Sequence, residues 1–272
     1  MTDGKTYPTV GFVGAGNMAE ALVSGMRAAG WPADRVWVTN RSNRARLDWL
    51  RARYGVCVTQ RKDELCEASQ VLLLAVKPRD VPEATQQLRP FVRPGHRVVS
   101  VVAGLTLASL ERAFPNLPVV RAMPNTPSAV REGVTAYALG RRATEEDAYL
   151  ARQLFGSVGA VVEVPEERID LVTGLSGSGP AYVFFLVESL IEAGVRAGLA
   201  PEVARDLVVQ TVFGAARMLR ETGLDPAELR RRVTSPGGTT MAGVGALEEH
   251  GVRGAFVEAV ERAARRAREL AS

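Results

Sequence analysis

Cysteine and histidine are nearly absent from this chain, with two of each in 272 residues. Cys57 and Cys66 cannot build a metal site alone and give no disulfide framework, so no metal is expected and both read as reduced thiols of a cytoplasmic protein. Lysine is as scarce: Lys5, Lys62 and Lys77 are the whole complement. The longest apolar run, Ala181–Val187, is followed at helical spacing by Glu188 and Glu192. It falls well short of the roughly 20 residues that span a bilayer. Met1–Pro8 lacks the basic-then-apolar order of a signal peptide. A soluble chain with no membrane partner is expected. Clustered positive charge is missing as well. There are 34 basic and 30 acidic residues, and Arg262, Arg265, Arg266 and Arg268 alternate with Glu258, Glu261 and Glu269. That is the pattern of a solvated helix face, and no nucleic-acid partner is expected.

What is present is a globular composition, 46% hydrophobic and 24% charged. The first half alternates strand-like runs (Thr9–Val13, Val36–Thr39, Val56–Val58, Val71–Ala75, Val98–Val101, Val119–Arg121) with amphipathic stretches at Ala19–Ala29, Asn43–Tyr54, Val81–Leu88 and Leu107–Phe114. Such alternation predicts a parallel sheet with helices on both faces, because parallel neighbours need crossover connections. Val134–Leu139 and Val161–Val164, flanking a helix at Thr144–Ser157, would extend it. From Ile169 the chain reads as helices only: Ile169–Leu175, Pro180–Ala197, Pro201–Thr222, Pro226–Val233, Thr240–His250 and Val252–Ala271. The expected architecture is an α/β Rossmann-like dinucleotide-binding domain over residues 1–168, followed by an all-α domain over 169–272. Val183, Phe184, Val187, Leu190 and Ile191 cover most of one helix. Five or six helices cannot readily bury that surface, which implies a partner subunit.

Gly14-Ala15-Gly16-Asn17-Met18-Ala19 follows the first strand and opens a helix. Gly14 suits the tight turn, Gly16 lets the backbone approach a pyrophosphate at the helix N-terminus, and Ala19 permits close helix–strand packing. An NAD site would carry Asp or Glu at the end of the second strand. Here Asn40-Arg41-Ser42 stands instead. Arg41 can pair with a 2′-phosphate while Asn40 and Ser42 add hydrogen bonds, so NADPH is expected as cofactor, with NADH weaker. Ala75-Val76-Lys77-Pro78 and Val102-Ala103-Gly104 end the fourth and fifth strands and should border the nicotinamide half. Carbonyl reduction usually needs a proton donor. His96 and His250 lie in no such context and read as surface residues, which favours a substrate that arrives protonated, such as a cyclic iminium.

Four blocks resemble the pyrroline-5-carboxylate reductase family. They are Val233-Thr234-Ser235-Pro236-Gly237-Gly238-Thr239-Thr240 with Gly243 and Leu247-Glu248, Arg121–Pro127, Arg131-Glu132-Gly133, and Gly174–Tyr182. The resemblance runs along essentially the whole chain. It implies reduction of L-1-pyrroline-5-carboxylate to L-proline by a nicotinamide hydride, the last step of proline biosynthesis. It also implies a helical domain that dimerises by interleaving, with assemblies of dimers. Carried over, Ser235, Gly237, Gly238 and Thr239 hold the substrate carboxylate, Thr240 touches the ring nitrogen as the catalytic residue, Glu166 lies near the substrate, and Asn125 joins the cofactor contacts. Gly237 and Gly238 fit this reading, since uncovered N–H groups before a helix attract a carboxylate. Gly174–Pro180 reads as close helix packing. One departure is Lys62, where the family often places an asparagine near the adenosine ribose; a lysine there can serve a 2′-phosphate. A rival class, β-hydroxyacid dehydrogenases, uses a lysine on the first long helix of the second domain, and Pro180–Ala197 has none.

Overall fold

A computed structural model describes residues 7–271, with the side chains of residues 7–269. Eight strands form one sheet: β1 (Val10–Val13), β2 (Val36–Thr39), β3 (Cys57–Thr59), β4 (Val71–Leu74), β5 (Arg97–Ser100), β6 (Val119–Pro124), β7 (Gly133–Leu139) and β8 (Gly159–Glu163). Their order is β3-β2-β1-β4-β5-β6-β7-β8. The helices between them are α1 (Asn17–Ala28), α2 (Arg44–Tyr54), α3 (Lys62–Ala68), α4 (Val81–Leu88), α5 (Leu107–Ala113) and α6 (Glu145–Gly156). Side chains alternate across the sheet, so each central strand feeds two cores. Val71 and Leu73 join Phe12, Leu22, Met26 and Trp31 on one face, while Leu72 and Leu74 join Val13, Leu65, Leu88 and Val98 on the other. Burial on both faces explains why these strands read as unbroken Val and Leu runs.

The sheet departs from the expected parallel arrangement at one place. β7 runs antiparallel to β6, and β8 runs parallel to β7. Residues 125–132, with a short 3₁₀ turn at Thr126–Val130 and Arg131 in the left-handed region (φ 62°), join β6 to β7. A parallel neighbour would need a connection of a dozen residues or more.

α7 (Ile169–Val172) also differs from the helix expected through Leu175, because Thr173–Gly177 opens into a π-turn. Four more helices follow: α8 (Gly179–Arg196), α9 (Pro201–Thr222), α10 (Pro226–Arg232) and α11 (Thr239–Glu249), and the last helix is α12 (Val252–Ala271). The chain divides into two compact units, residues 1–177 with 262–272, and residues 178–261. This division falls later than the boundary expected at residue 168, and the end of α12 belongs with the first unit. There Ala264 and Ala267 are buried at i,i+3 spacing, while Arg266 pairs with Glu269 at 2.7 Å on the outward side.

In the second unit, α8 and α9 meet where a side chain at Gly194 would stand 3.2 Å from Ala204 Cβ. Ala204 is the one buried side chain of this unit among the described residues. Phe184, Phe185, Leu207 and Phe213 are all exposed. By length and composition alone the helical run Glu166–Arg196 could cross a bilayer, its most apolar 18-residue stretch having a mean hydropathy of 1.2 with 11% of it buried.

Candidate active site

β1 and β4 are neighbours in the sheet although the chain leaves β1 toward β2. A reversal of this kind opens a crevice at the carboxyl ends of the strands, where open α/β sheets bind ligands. Gly14 forms the β1–α1 turn at φ +112°, and a Cβ there would stand 2.4 Å from the Ala75 carbonyl oxygen. Only glycine fits that turn. At Gly16 the opposite holds: a Cβ would meet nothing within 4 Å, so the backbone is open to an approaching group. Gly16 caps α1 without a side-chain hydrogen bond, leaving the first amides of the helix directed outward.

A cleft of about 490 Å³ lies above this turn. It brings together Gly14, Ala15, Gly16, Asn40, Arg41, Ser42, Lys62, Ala75, Val76 and Lys77 of the expected cofactor residues. Pro78, Ala103 and Gly104 line a separate cavity of about 310 Å³. Asn17 is the first residue of α1 and exposed, and Met18 packs against the core. The donor set suits a dinucleotide phosphate: an uncapped helix N-terminus beside glycine backbone, with Arg41, Arg46, Lys62, Lys77 and Arg79 around it.

Several of these side chains already have partners. Asn40 Oδ1 accepts hydrogen bonds from Ser42 N (3.1 Å) and Asn43 N (2.9 Å), so Asn40 shapes the loop, leaving its amide nitrogen as the free donor group. Arg41 forms an ion pair with Glu83 on α4. Lys62 Nζ donates to Thr39 Oγ1 at 3.2 Å, and burial lowers its pKa below the usual lysine range. Next to it on α3, burial pushes the Cys66 thiol up to about 11. Arg46, which the motif reading did not single out, donates from Nε to the Ala15 carbonyl (3.0 Å) and pairs with Glu20, bracing the glycine turn from α2. Thirty-one residues separate Arg46 from Ala15, and local spacing carries no trace of such a contact.

Asn125, expected at the cofactor, is buried and committed elsewhere. Its Oδ1 accepts from Val134 N (2.9 Å) and its Nδ2 donates to the Ser176 carbonyl (3.1 Å). That carbonyl needs a donor because its i+4 residue is Pro180, which has no N–H. Glu166 is engaged too: Oε1 accepts from the Leu107 amide at the start of α5 (2.6 Å) and from Arg121 (3.3 Å). Arg121 itself is buried and reaches Asp170 at 2.7 Å. His96 is not a surface residue. Its Nδ1 accepts from Arg93 N (2.9 Å) and its Nε2 donates to the Cys66 carbonyl (3.0 Å), so backbone partners occupy both nitrogens of the neutral ring. His250 is exposed at the end of α11.

In the second unit, Ser235–Gly238 is a turn closed by Gly238 N donating to the Ser235 carbonyl (3.0 Å), with Gly237 at φ +68°. The Gly238 amide is therefore used within the turn. The uncovered amides belong instead to the first turn of α11, at Thr239, Thr240 and Met241, because Gly238 caps that helix with no side chain. Thr239 and Thr240 are exposed there.

The sheet order, the glycine turn and the cationic cleft define a dinucleotide-binding protein of the Rossmann class. A family model for pyrroline-5-carboxylate reductase dimerisation matches residues 166–270, and one described as NADP oxidoreductase, coenzyme F420-dependent, matches residues 9–104. The chain is 43% identical to the pyrroline-5-carboxylate reductase of Pisum sativum over 263 residues, 96% of each chain. With that of Arabidopsis thaliana the identity is 44% over 262 residues, 96% of this chain and 95% of the other. A solved pyrroline-5-carboxylate reductase from Coxiella burnetii superposes with a TM-score of 0.93 at 38% identity, covering 98% of this chain and 100% of that one. The Plasmodium falciparum enzyme, solved with NADP bound, gives 0.88 at 29% identity, covering 99% and 100%. The chain belongs to the pyrroline-5-carboxylate reductase family.

Proposed function

We propose that this chain reduces L-1-pyrroline-5-carboxylate to L-proline with NADPH, through a carboxylate cradle at Ser235–Thr240. The observation carrying this reading is the α11 N-terminus: an uncapped first turn, entered through a tight Ser235–Gly238 turn, with two threonine hydroxyls beside it. Such a terminus attracts a carboxylate through its free amides and dipole. Thr240 Oγ1 can then accept a hydrogen bond from the protonated ring nitrogen, orienting the C=N bond. NADPH, when bound, supplies the hydride. The chain's part is to hold the pyrophosphate at Gly14–Gly16, hold the 2′-phosphate at Arg41 with Ser42 and Lys62, and orient the imine. A protonated imine is electrophilic without a protein acid. Both His96 nitrogens are spent on backbone partners, which agrees with a reaction needing no histidine donor.

Glu166 Oε2 is the oxygen of that residue left for substrate. Pro78, Ala103 and Gly104 border the nicotinamide side in this reading, and Asn125 acts by supporting the Ser176 carbonyl. Residues 169–272 form the dimerisation and substrate domain, and α8 and α9 meet a second copy in a cytoplasmic dimer or assembly of dimers. The exposed Phe184, Phe185 and Phe213 support that placement.

The test is NADPH oxidation by the purified chain across several cyclic imines, run beside NADH. Turnover of pyrroline-5-carboxylate to proline, faster with NADPH, is expected. Tight NADPH binding without turnover of any imine would overturn the reading in favour of a nucleotide sensor.

A further inference from the structure

We infer that Glu83 tunes the choice between NADPH and NADH, by contending with the 2′-phosphate for Arg41. The inference rests on Arg41 as the 2′-phosphate ligand. Arg41 follows β2 and Glu83 lies on α4, yet both line the same cleft, and their ion pair joins its two walls. The contact is held from both ends. Glu83 Oε1 accepts from Gln87 Nε2 (3.0 Å) one helical turn on, and the Arg41 carbonyl accepts from Gln60 Nε2 (3.3 Å).

The side chains of the pair are 63% and 45% exposed, so water screens it and the exchange is cheap. A phosphate of nearly two negative charges outbids one carboxylate for a guanidinium. The exchange nevertheless discounts NADPH binding and not NADH binding, because NADH brings no anion to that place. Asp80 and Arg79 also line the cleft, but neither pairs with Arg41. A family member with a neutral residue at this place on α4 should discriminate more sharply.

The experiment compares the full-length protein with Glu83→Gln, Arg41→Gln and the double variant. Calorimetry gives Kd for adenosine 2′,5′-bisphosphate and for adenosine 5′-monophosphate, beside KM for NADPH and NADH. Glu83→Gln is expected to bind the bisphosphate about two- to fivefold more tightly, the fold-change an exposed ion pair is worth. Monophosphate affinity and NADH turnover should stay unchanged, the latter also reporting that the variant folds. In the Arg41→Gln background the same substitution should have no effect. Equal tightening of both nucleotides, tightening that persists without Arg41, or no tightening at all would overturn the proposal. If Arg41→Gln alone leaves bisphosphate affinity intact, the 2′-phosphate assignment fails and the proposal with it. Loss of turnover in the unaltered chain would instead count against the reductase reading.

Discussion

At the scale of single residues, Thr240 and Cys66 make opposite predictions about where chemistry lives. Thr240 is exposed at a helix start, and Thr240→Ala removes one hydroxyl without disturbing a packed core. Turnover is expected to fall about tenfold or more, the loss of one oriented hydrogen bond to a charged group, with NADPH affinity unchanged. An unaltered kcat would remove Thr240 from the site. Cys66 is buried on α3, and its folded pKa is raised from 9.0 to about 11. A raised folded pKa contributes stability that is complete below the unfolded value and lost as pH climbs through the folded one. Stability should therefore drop between about pH 9 and 11, by up to about 2–3 kcal/mol from this thiol. Lys62, with a lowered pKa, works in the opposite sense in both wild type and variant. Urea midpoints at both ends of that window should fall less for Cys66→Ala than for wild type; parallel decline would refute the assignment. Membership of the cleft was legible only where motifs carried it. Gly14, Gly16 and Arg41 were readable because turn geometry and charge type constrain them locally. Glu83, Arg46 and the burial of His96 were not, since their partners lie 30 or more residues away in sequence.

Among elements, the β1–α1 turn is the least tolerant. Gly14→Ala would place a methyl against the Ala75 carbonyl in a backbone region that favours glycine. Both stability and NADPH binding should suffer, with destabilisation of about 1–3 kcal/mol by urea denaturation; wild-type affinity would show that the turn relaxes freely. Strand positions were readable to within a residue or two across the core, because strands buried on both faces must be apolar throughout; β6 is the exception, running three residues beyond Arg121 to Pro124. α3 was not foreseen. Asp63, Glu64 and Glu67 crowd its seven residues, and only Leu65 and Cys66 are buried, too few to show a period. The reversal at β7 had a signal that composition masks. Pro124-Asn125-Thr126-Pro127 leaves too short a link before Gly133 for a crossover helix. The π-turn at Thr173–Gly177 came from the same glycine-rich run that reads as packing, and its spare carbonyl explains why Asn125 is tied up there.

For the whole molecule, the exposed faces of α8 and α9 set the behaviour. A helical unit with a single buried side chain gains little from folding alone, so for the proposed dimer Tm is expected to fall on dilution. Phe213→Asp should shift sedimentation toward monomer and lower Tm; a Tm independent of concentration in the wild type would count against a dimer. The sequence announced this face through its apolar helices, but not how little of it the chain covers by itself.

Ala204 standing nearly alone as a buried residue among residues 178–261 has a kinetic corollary. Where a second copy completes that unit, its folding is a reaction between two newly made chains, and its rate rises with their abundance. A cell producing few copies would hold chains with a finished nucleotide half and an open helical half, exposed to proteases while they wait. Activity per chain would then climb with expression level, a dosage effect written into the apolar faces of α8 and α9.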